Sequence, residues 1–369
     1  MHEHFNKLCY YHCTTAGCRN VWVMLKQMNF KKILILSDGV PGHVNQARGL
    51  VSWLCDSYGL KQSDVVTEMT LVLKHKPLRA VYRACLNAKL GFASTLIRSG
   101  YQNIPPELEQ GTLIISCGGN TSFANAALAQ DSGQPNIFIG SLRGLRSDCF
   151  KAVMSIEPIA GADNNIVMDF APSYIDVNEI EVAGERFAES HQPQQPLWCL
   201  LIGGNGAGYE FDEQDWQVLA HGMNELARRY SVRWLVSTSR RSGEIAERVL
   251  QVQAADVIYE GIWFSGQGNQ SLKSYLGAAS RIFCTEDSMT MLSESINAGK
   301  PVVSVRPRKS HPNQRFLDAL LRFEMNGYLQ RCALSEMDRL SFDVEAVQHH
   351  PQASKAKVIE QVTRLLNTA

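Results

Sequence analysis

The chain has 369 residues, and its 36 Lys plus Arg balance 36 Asp plus Glu, so it lacks the cationic surplus of a dedicated nucleic-acid binder. That length exceeds what one core ordinarily supports and points to two domains. Apolar residues make up 45%, an ordinary globular share, and no uninterrupted apolar run is long enough to span a bilayer.

Residues 1–28 read unlike the rest. They hold Cys9, Cys13 and Cys18 with His2, His4 and His12, but lack the paired C-x2-C spacing of a zinc knuckle and the apolar core of a signal peptide. The expectation is a disordered leader outside the native fold, with Met24 or Met28 as alternative starts. Cys117, Cys199 and Cys284 fall in or beside apolar runs, where a reduced thiol acts as a small hydrophobe. Ten scattered cysteines fit a reducing cytoplasm better than a disulfide framework.

From Phe30 onward, short apolar runs alternate with helical patterns, as in βαβ units with parallel sheets. Residues 32–37 (KILILS) read as a buried strand. A helix follows the next loop, with Val44, Ala47, Leu50, Val51 and Leu54 at steps of three and four. Further strands are expected at 65–69, 112–116, 136–139 and 152–156. Between Glu68 and Glu107 there is no acidic residue, but there are Lys74, Lys76, Arg79, Arg83, Lys89 and Arg98. Leu78, Val81, Tyr82, Cys85, Leu86 and Leu90 recur there at helical spacing. Residues 74–98 therefore read either as a basic amphipathic surface for anionic lipid or as a helix whose apolar stripe is buried. Residues 177–196 are polar, acidic and proline-tipped, without strong periodicity, and their later part reads as a hinge or loop. The pattern restarts at 197–202 (LWCLLI). A helix at 212–230, a strand at 233–237, a helix after Gly243, strands at 257–260 and 281–284, a helix at 287–298 and a strand at 302–305 follow. A last helical pattern over 353–366 can pack back across the domains.

In open α/β sheets, ligands collect at the carboxyl ends of the strands, and the candidate residues lie in loops there. The first loop holds Asp38, Gly39, Gly42, His43, Asn45 and Gln46. Its glycines permit close backbone approach, and the helix start supplies free N–H groups. His43 is a candidate because imidazole is the side chain whose unperturbed pKa suits proton transfer near neutrality; a capping histidine and a turn-forming aspartate are the plainer alternatives. Gly118, Gly119 and Asn120 form the second loop. Gly203, Gly204 and Asn205 open the third, which has no G-x-G-x-x-G register, and the chain has no P-loop. In the second half, Ser237, Ser239, Arg240 and Arg241 suit a pyrophosphate, or cap a helix with solvated arginines. Glu286, Asp287, Ser288 and Met289 open a helix on which Glu294 can accept both hydrogens of a ribose diol, and Arg306 heads a basic cluster with Arg308, Lys309 and His311.

Together, SDGVPGHVNQARGL (Ser37 to Leu50), LLIGGNGAGYEF (Leu200 to Phe211), STSRR (Ser237 to Arg241) and CTEDSMTMLSESINAGKPV (Cys284 to Val302) resemble the mitochondrial-fission "elongated mitochondria" family, whose bacterial members are described as glycosyltransferases. The resemblance covers roughly Lys31 to Val305, and the joint order of motifs is more specific than any one of them. It implies an α/β fold of GT-B type: two Rossmann-like domains with parallel sheets facing across a cleft. The implied division is an acceptor-side domain over 29–176, a nucleotide-sugar-binding domain over 177–345 and a crossing helix within 346–369. The first loop and the donor-side helix are also similar to those of the N-acetylglucosaminyltransferase of peptidoglycan lipid-intermediate synthesis. That similarity implies His43 beside the acceptor and Glu294 on the nucleotide ribose. The segment from Gly261 to Asn269, which includes Trp263, departs from it by lacking an Asn-Pro-Tyr.

The implied activity is transfer of a sugar from a nucleotide-diphosphate donor to a glycan or lipid-linked acceptor, inverting and with neither metal nor other cofactor. His43 or Asp38 would be the base, while Gly204, Asn205, Ser239 and Arg240 would line the diphosphate with the dipole of the helix near Asp287. A nucleotide-sugar 2-epimerase and a non-catalytic scaffold on the same frame are the alternatives. The expected location is the cytoplasm, with peripheral contact at the inner face of the membrane.

Overall fold

The computed structural model describes residues 30–175, 177–266, 271–342 and 351–368; the expected leader and Asn269 lie outside them. Six short runs, β1 (Lys32–Ser37), β2 (Val66–Thr70), β3 (Thr112–Cys117), β4 (Asn136–Ile139), β5 (Ala152–Ser155) and β6 (Asn165–Val167), pair in parallel in the order β2-β1-β3-β4-β5-β6. A second parallel sheet contains β7 (Leu197–Ile202), β8 (Arg233–Thr238), β9 (Ile258–Ile262), β10 (Ala279–Thr285), β11 (Val302–Arg306) and β12 (Gln330–Ala333). Its order is β9-β8-β7-β10-β11-β12. The architecture is GT-B: two Rossmann-like lobes facing across a cleft.

The strands are buried on both faces because helices cover both faces. In β1, alternation sends Ile33 and Ile35 to the cluster that holds Leu50 and Leu54 of helix α1 (Pro41–Tyr58). Leu34 and Leu36 go to the opposite cluster, with Tyr82 of α2 (Arg79–Asn87), Ile97 of α3 (Ala93–Ser99) and Phe123 of α4 (Ser122–Ser132). Proline opens α1 and left-handed Gly59 closes it, so both ends are written locally.

Three features depart from the sequence expectations. Residues 177–191, read as lacking periodicity, form helix α5 (Val177–His191). Its buried face is Ile180, Gly184 and Phe187, an apolar stripe with a glycine at its centre, too sparse to register as a period. Gly184 lies on Gly277 of α8 (Leu272–Ala278); a Cβ at Gly184 would stand 2.3 Å from the Gly277 carbonyl carbon. Second, α2 is divided: Tyr82, Cys85 and Leu86 are buried, whereas Leu78, Val81 and Leu90 face outward, as does Phe92. Third, the edge strands β6 (NIV) and β12 (QRCA) are too short and too polar to be seen as strands beforehand.

Further helices are α6 (Glu213–Tyr230), α7 (Gly243–Gln253), α9 (Met289–Asn297), α10 (Gln314–Met325) and α11 (Pro351–Asn367). Helix α11 returns to the first lobe, where Thr363 hydrogen-bonds Tyr58 at 2.7 Å and Lys355 lies over the Trp53 ring. Strand order reverses between β1 and β3 and again between β7 and β10, so a crevice opens at the carboxyl end of each sheet. The seven described cysteines are free, and burial pushes the Cys55 and Cys117 thiols up to about 11 and about 12. Gly184→Ala is expected to lower stability by about 1–3 kcal/mol through overpacking against α8, read from urea unfolding midpoints.

Candidate active site

At the first crevice, the Asp38 Oδ1 accepts from the Val40 N–H at 3.2 Å, and the turn delivers His43 in the first turn of α1. His43 Nδ1 lies 3.0 and 3.1 Å from the two Asp38 oxygens. The carboxylate is 4% exposed and the imidazole 35%. A carboxylate on Nδ1 favours the tautomer whose Nε2 is left free to take a proton. The ring rests on Gly118, where φ is +91° and a Cβ would stand 2.2 Å from Nδ1, so only glycine fits. Asn120 Nδ2 donates to Asp38 Oδ2 at 3.4 Å, while its Oδ1 accepts from Arg79 and its carbonyl from the Tyr101 hydroxyl. Gln46 turns instead to the Cys117 thiol, which donates to Oε1 at 3.4 Å.

At the second crevice, the Gly203 N–H donates to Thr285 Oγ1 at 2.8 Å, and the Gly203 carbonyl accepts from the Ser239 and Ser242 hydroxyls. Gly204, at φ +112°, lies against the Arg241 carbonyl, to which the Asn205 N–H donates at 3.3 Å. The Arg241 guanidinium is 2.8 Å from the buried Asp287 carboxylate. Burial raises the Asp287 pKa, against the opposing pull of Thr285 and Arg241. Ser288 caps α9 by accepting from the Met291 N–H at 3.4 Å, and Met289 is the first helical residue. Ser237 is buried at the end of β8, Arg240 is exposed beside it, and Arg306 ends β11 half-buried.

The two crevices meet. A Cβ at Gly42 would stand 3.4 Å from Thr290 Oγ1, so the first turns of α1 and α9 face one another. Asn45 Nδ2 donates to Glu294 Oε1 at 2.6 Å and to Ser173 Oγ at 3.2 Å, and its Oδ1 accepts from the Tyr174 N–H at 3.0 Å. Asn45 thus joins α1, α9 and the interlobe connection at one atom group. Burial pushes Glu294 up to about 7.

Not every expected residue comes to the cleft. The Glu286 carboxylate is turned into the lobe, where it accepts from Arg331 Nε at 2.8 Å and Nη2 at 3.0 Å, Ser304 Oγ at 3.0 Å and the Tyr209 hydroxyl at 3.2 Å. A fully buried carboxylate with four donors has no lone pair left for a ligand, which corrects its assignment to substrate. Arg308 is held by Asp212 and Asp215 at the start of α6, and Lys309 joins Glu210 in a two-residue antiparallel pair. Arg79 and Tyr101 enter the site from outside the four candidate loops; Arg79 reaches Asn120 from 41 positions away.

The profile of the mitochondrial fission ELM1 family matches residues 41–365. The chain belongs to that family. A curated relative in Rickettsia prowazekii (strain Madrid E), "Uncharacterized protein RP120", is 26% identical over 165 residues, 44% of this chain. The match spans 43% of that relative's length, less than half. Among solved structures, UDP-GlcNAc 2-epimerase from Methanocaldococcus jannaschii is similar with a TM-score of 0.53 at 9% identity, over 90% of this chain and 99% of that one. E. coli ADP-heptose lps heptosyltransferase II gives 0.43 at 13% identity, over 91% and 98%. At these identities the likeness is one of fold.

The raised Glu294 pKa has a measurable consequence. The folded state holds this proton more tightly than the unfolded chain, so its contribution to stability is full below about pH 4.5 and declines as pH rises to about 7. Glu294→Gln should remove that declining limb. Melting temperatures of both proteins between these pH values test it, and parallel curves would refute the buried-acid assignment.

Proposed function

We propose that the cleft transfers a glycosyl group from a nucleotide-diphosphate sugar to an acceptor hydroxyl with inversion. The observation that carries this is that α1 presents His43, oriented by Asp38 of the preceding loop, and two positions later Asn45, which hydrogen-bonds Glu294 of α9. His43 Nε2 takes the acceptor proton as the acceptor oxygen bonds to the anomeric carbon; the bond from that carbon to the diphosphate breaks on the opposite face, and the nucleoside diphosphate leaves. Asp38 holds the imidazole and stabilises it when charged. Gly204, Asn205, Ser239 and Arg241 border the diphosphate, whose growing charge meets the guanidinium and the amino end of α9 without need of a metal. Glu294 accepts from the ribose hydroxyls.

His43→Ala is expected to reduce turnover by ~10²–10⁴-fold with nucleotide binding intact. Glu294→Gln should instead weaken nucleoside-diphosphate binding, read by thermal shift across a nucleotide panel. A His43 variant with undiminished turnover, or a Glu294 variant with unaltered affinity, removes that residue from its role. Assays with donor alone separate transfer from 2-epimerisation.

The acceptor is read as lipid-linked because Val81 and Phe92, 46% and 59% exposed, lie with Leu78 and Leu90 among Lys74, Lys76, Arg83 and Lys89. Apolar side chains within a basic field suit an anionic bilayer surface. Among the described residues no helix is long and apolar enough to cross a membrane. Flotation with phosphatidylserine vesicles should occur at low salt and fall with Val81→Glu; no co-migration of the wild type rejects the contact.

A further inference from the structure

Two arginines, Arg79 and Arg143, meet at the Gly118-Gly119-Asn120 loop and a third, Arg83, packs against the backbone of Arg143 and Gly144; none of them forms an ion pair with a carboxylate among the described residues. Arg79 Nη2 donates to Asn120 Oδ1, while its Nε is buried without a hydrogen-bond partner. The Arg143 side chain lies over Gly119, whose Cβ position is 3.0 Å from Arg143 Cδ and Nε and 3.1 Å from Cζ. Arg83 Nη1 donates to the Arg143 carbonyl at 3.1 Å, and its Cδ is 3.0 Å from the Cβ position of Gly144. Gly118 and Gly119 are consecutive, and the His43 ring rests on the first as Arg143 rests on the second. The imidazole and that guanidinium therefore flank a single peptide unit. Arg143 also holds φ at +49°, a left-handed backbone that a non-glycine residue keeps only where its surroundings impose it.

Guanidinium groups left without anionic partners beside a proton acceptor define a ligand chemistry. Each presents N–H donors in a planar fork that matches phosphate oxygens. Three of them carry more positive charge than a single carboxylate balances, whereas a phosphate ester brings close to two negative charges at neutral pH.

We propose that Arg79, Arg83 and Arg143 form an anion subsite on the N-terminal lobe that seats a phosphate carried by the acceptor, beside the hydroxyl that His43 deprotonates. The subsite rests on His43 facing the acceptor, as in the function proposed above, but it is tested here with neither donor nor turnover. The phosphate belongs either to a lipid headgroup or to a water-soluble phosphorylated acceptor; the chemistry recognised is the same.

The experiment titrates inorganic pyrophosphate into the full chain while the histidine Cε1–H resonances are followed by NMR, with His43 assigned from its loss in His43→Gln. The His43 resonance should shift and saturate. In Arg143→Gln, whose side chain is exposed and dispensable for the core, the apparent affinity should fall by about 10-fold or more. Arg241→Gln, on the other lobe, should leave the His43 response in place. An unmoved His43 resonance in the wild type, or an equal response in Arg143→Gln, overturns the subsite. Flotation on phosphatidic acid vesicles then identifies the source. Loss of flotation in Arg143→Gln assigns the phosphate to a lipid, and flotation unaffected by that change, alongside an intact pyrophosphate response in the wild type, assigns it to a soluble acceptor. If His43→Ala left turnover unchanged, the catalytic assignment would fail while the pyrophosphate response still judged the subsite.

Discussion

One hydrogen bond organises the cleft: Asn45 of α1 to Glu294 of α9, at 2.6 Å. Helices α1 and α9 each start at a strand-order reversal, so their first turns converge where a ligand would lie. Bringing two positive helix ends together is unfavourable unless something negative lies between them. The carboxylates of Asp38 and Asp287, which precede the two helices, supply that charge on the protein's own side. Because Asn45 also binds the chain at Ser173 and Tyr174, the relative placement of the lobes and the orientation of Glu294 are set by the same amide.

Around the cleft of the C-terminal lobe several arginines are held by acids: Arg241 by Asp287, Arg331 by Glu286, and Arg308 by Asp212 and Asp215. The pairs with a buried acid, Arg241–Asp287 and Arg331–Glu286, hold loops in one geometry more than they add stability. On the N-terminal side, Arg79 and Arg143 at the second glycine loop and Arg83 beside Arg143 have no ion pair among the described residues, while Asp38 is committed to His43. A cation left over at a cleft wall costs little while solvent reaches it and becomes valuable once an anion arrives.

Continuous apolar runs and the period-3.6 pattern were legible wherever burial is extensive, as in β1 and β7 with both faces covered and in α1 with one, because burial is what places apolar residues at those positions. They were illegible in α5, where Gly184 replaces an apolar side chain so that two backbones can touch, and in β12, whose QRCA buries one apolar residue, Cys332, beside its pairing with β11. Among the candidate residues, His43 with Asp38 and Gly118 with Asn120 were visible because strand–loop–helix junctions carry glycine and short polar residues for geometric reasons. The environment of Glu286 was not: a TED triplet reads the same whether its glutamate faces the cleft or Arg331.

The amino-acid order alone determined two α/β halves, the loops that end their central strands, and the residue types available there, since these follow from local propensity and periodicity. Which of those residues share a site was decided only by tertiary structure. Asn45 reaches Glu294 across 249 positions, Arg79 reaches Asn120 across 41, and Glu286 is withdrawn by an arginine 45 positions on. Such pairings depend on how two sheets are set against each other, and no local pattern encodes the distance between side chains that meet only after the chain has closed on itself.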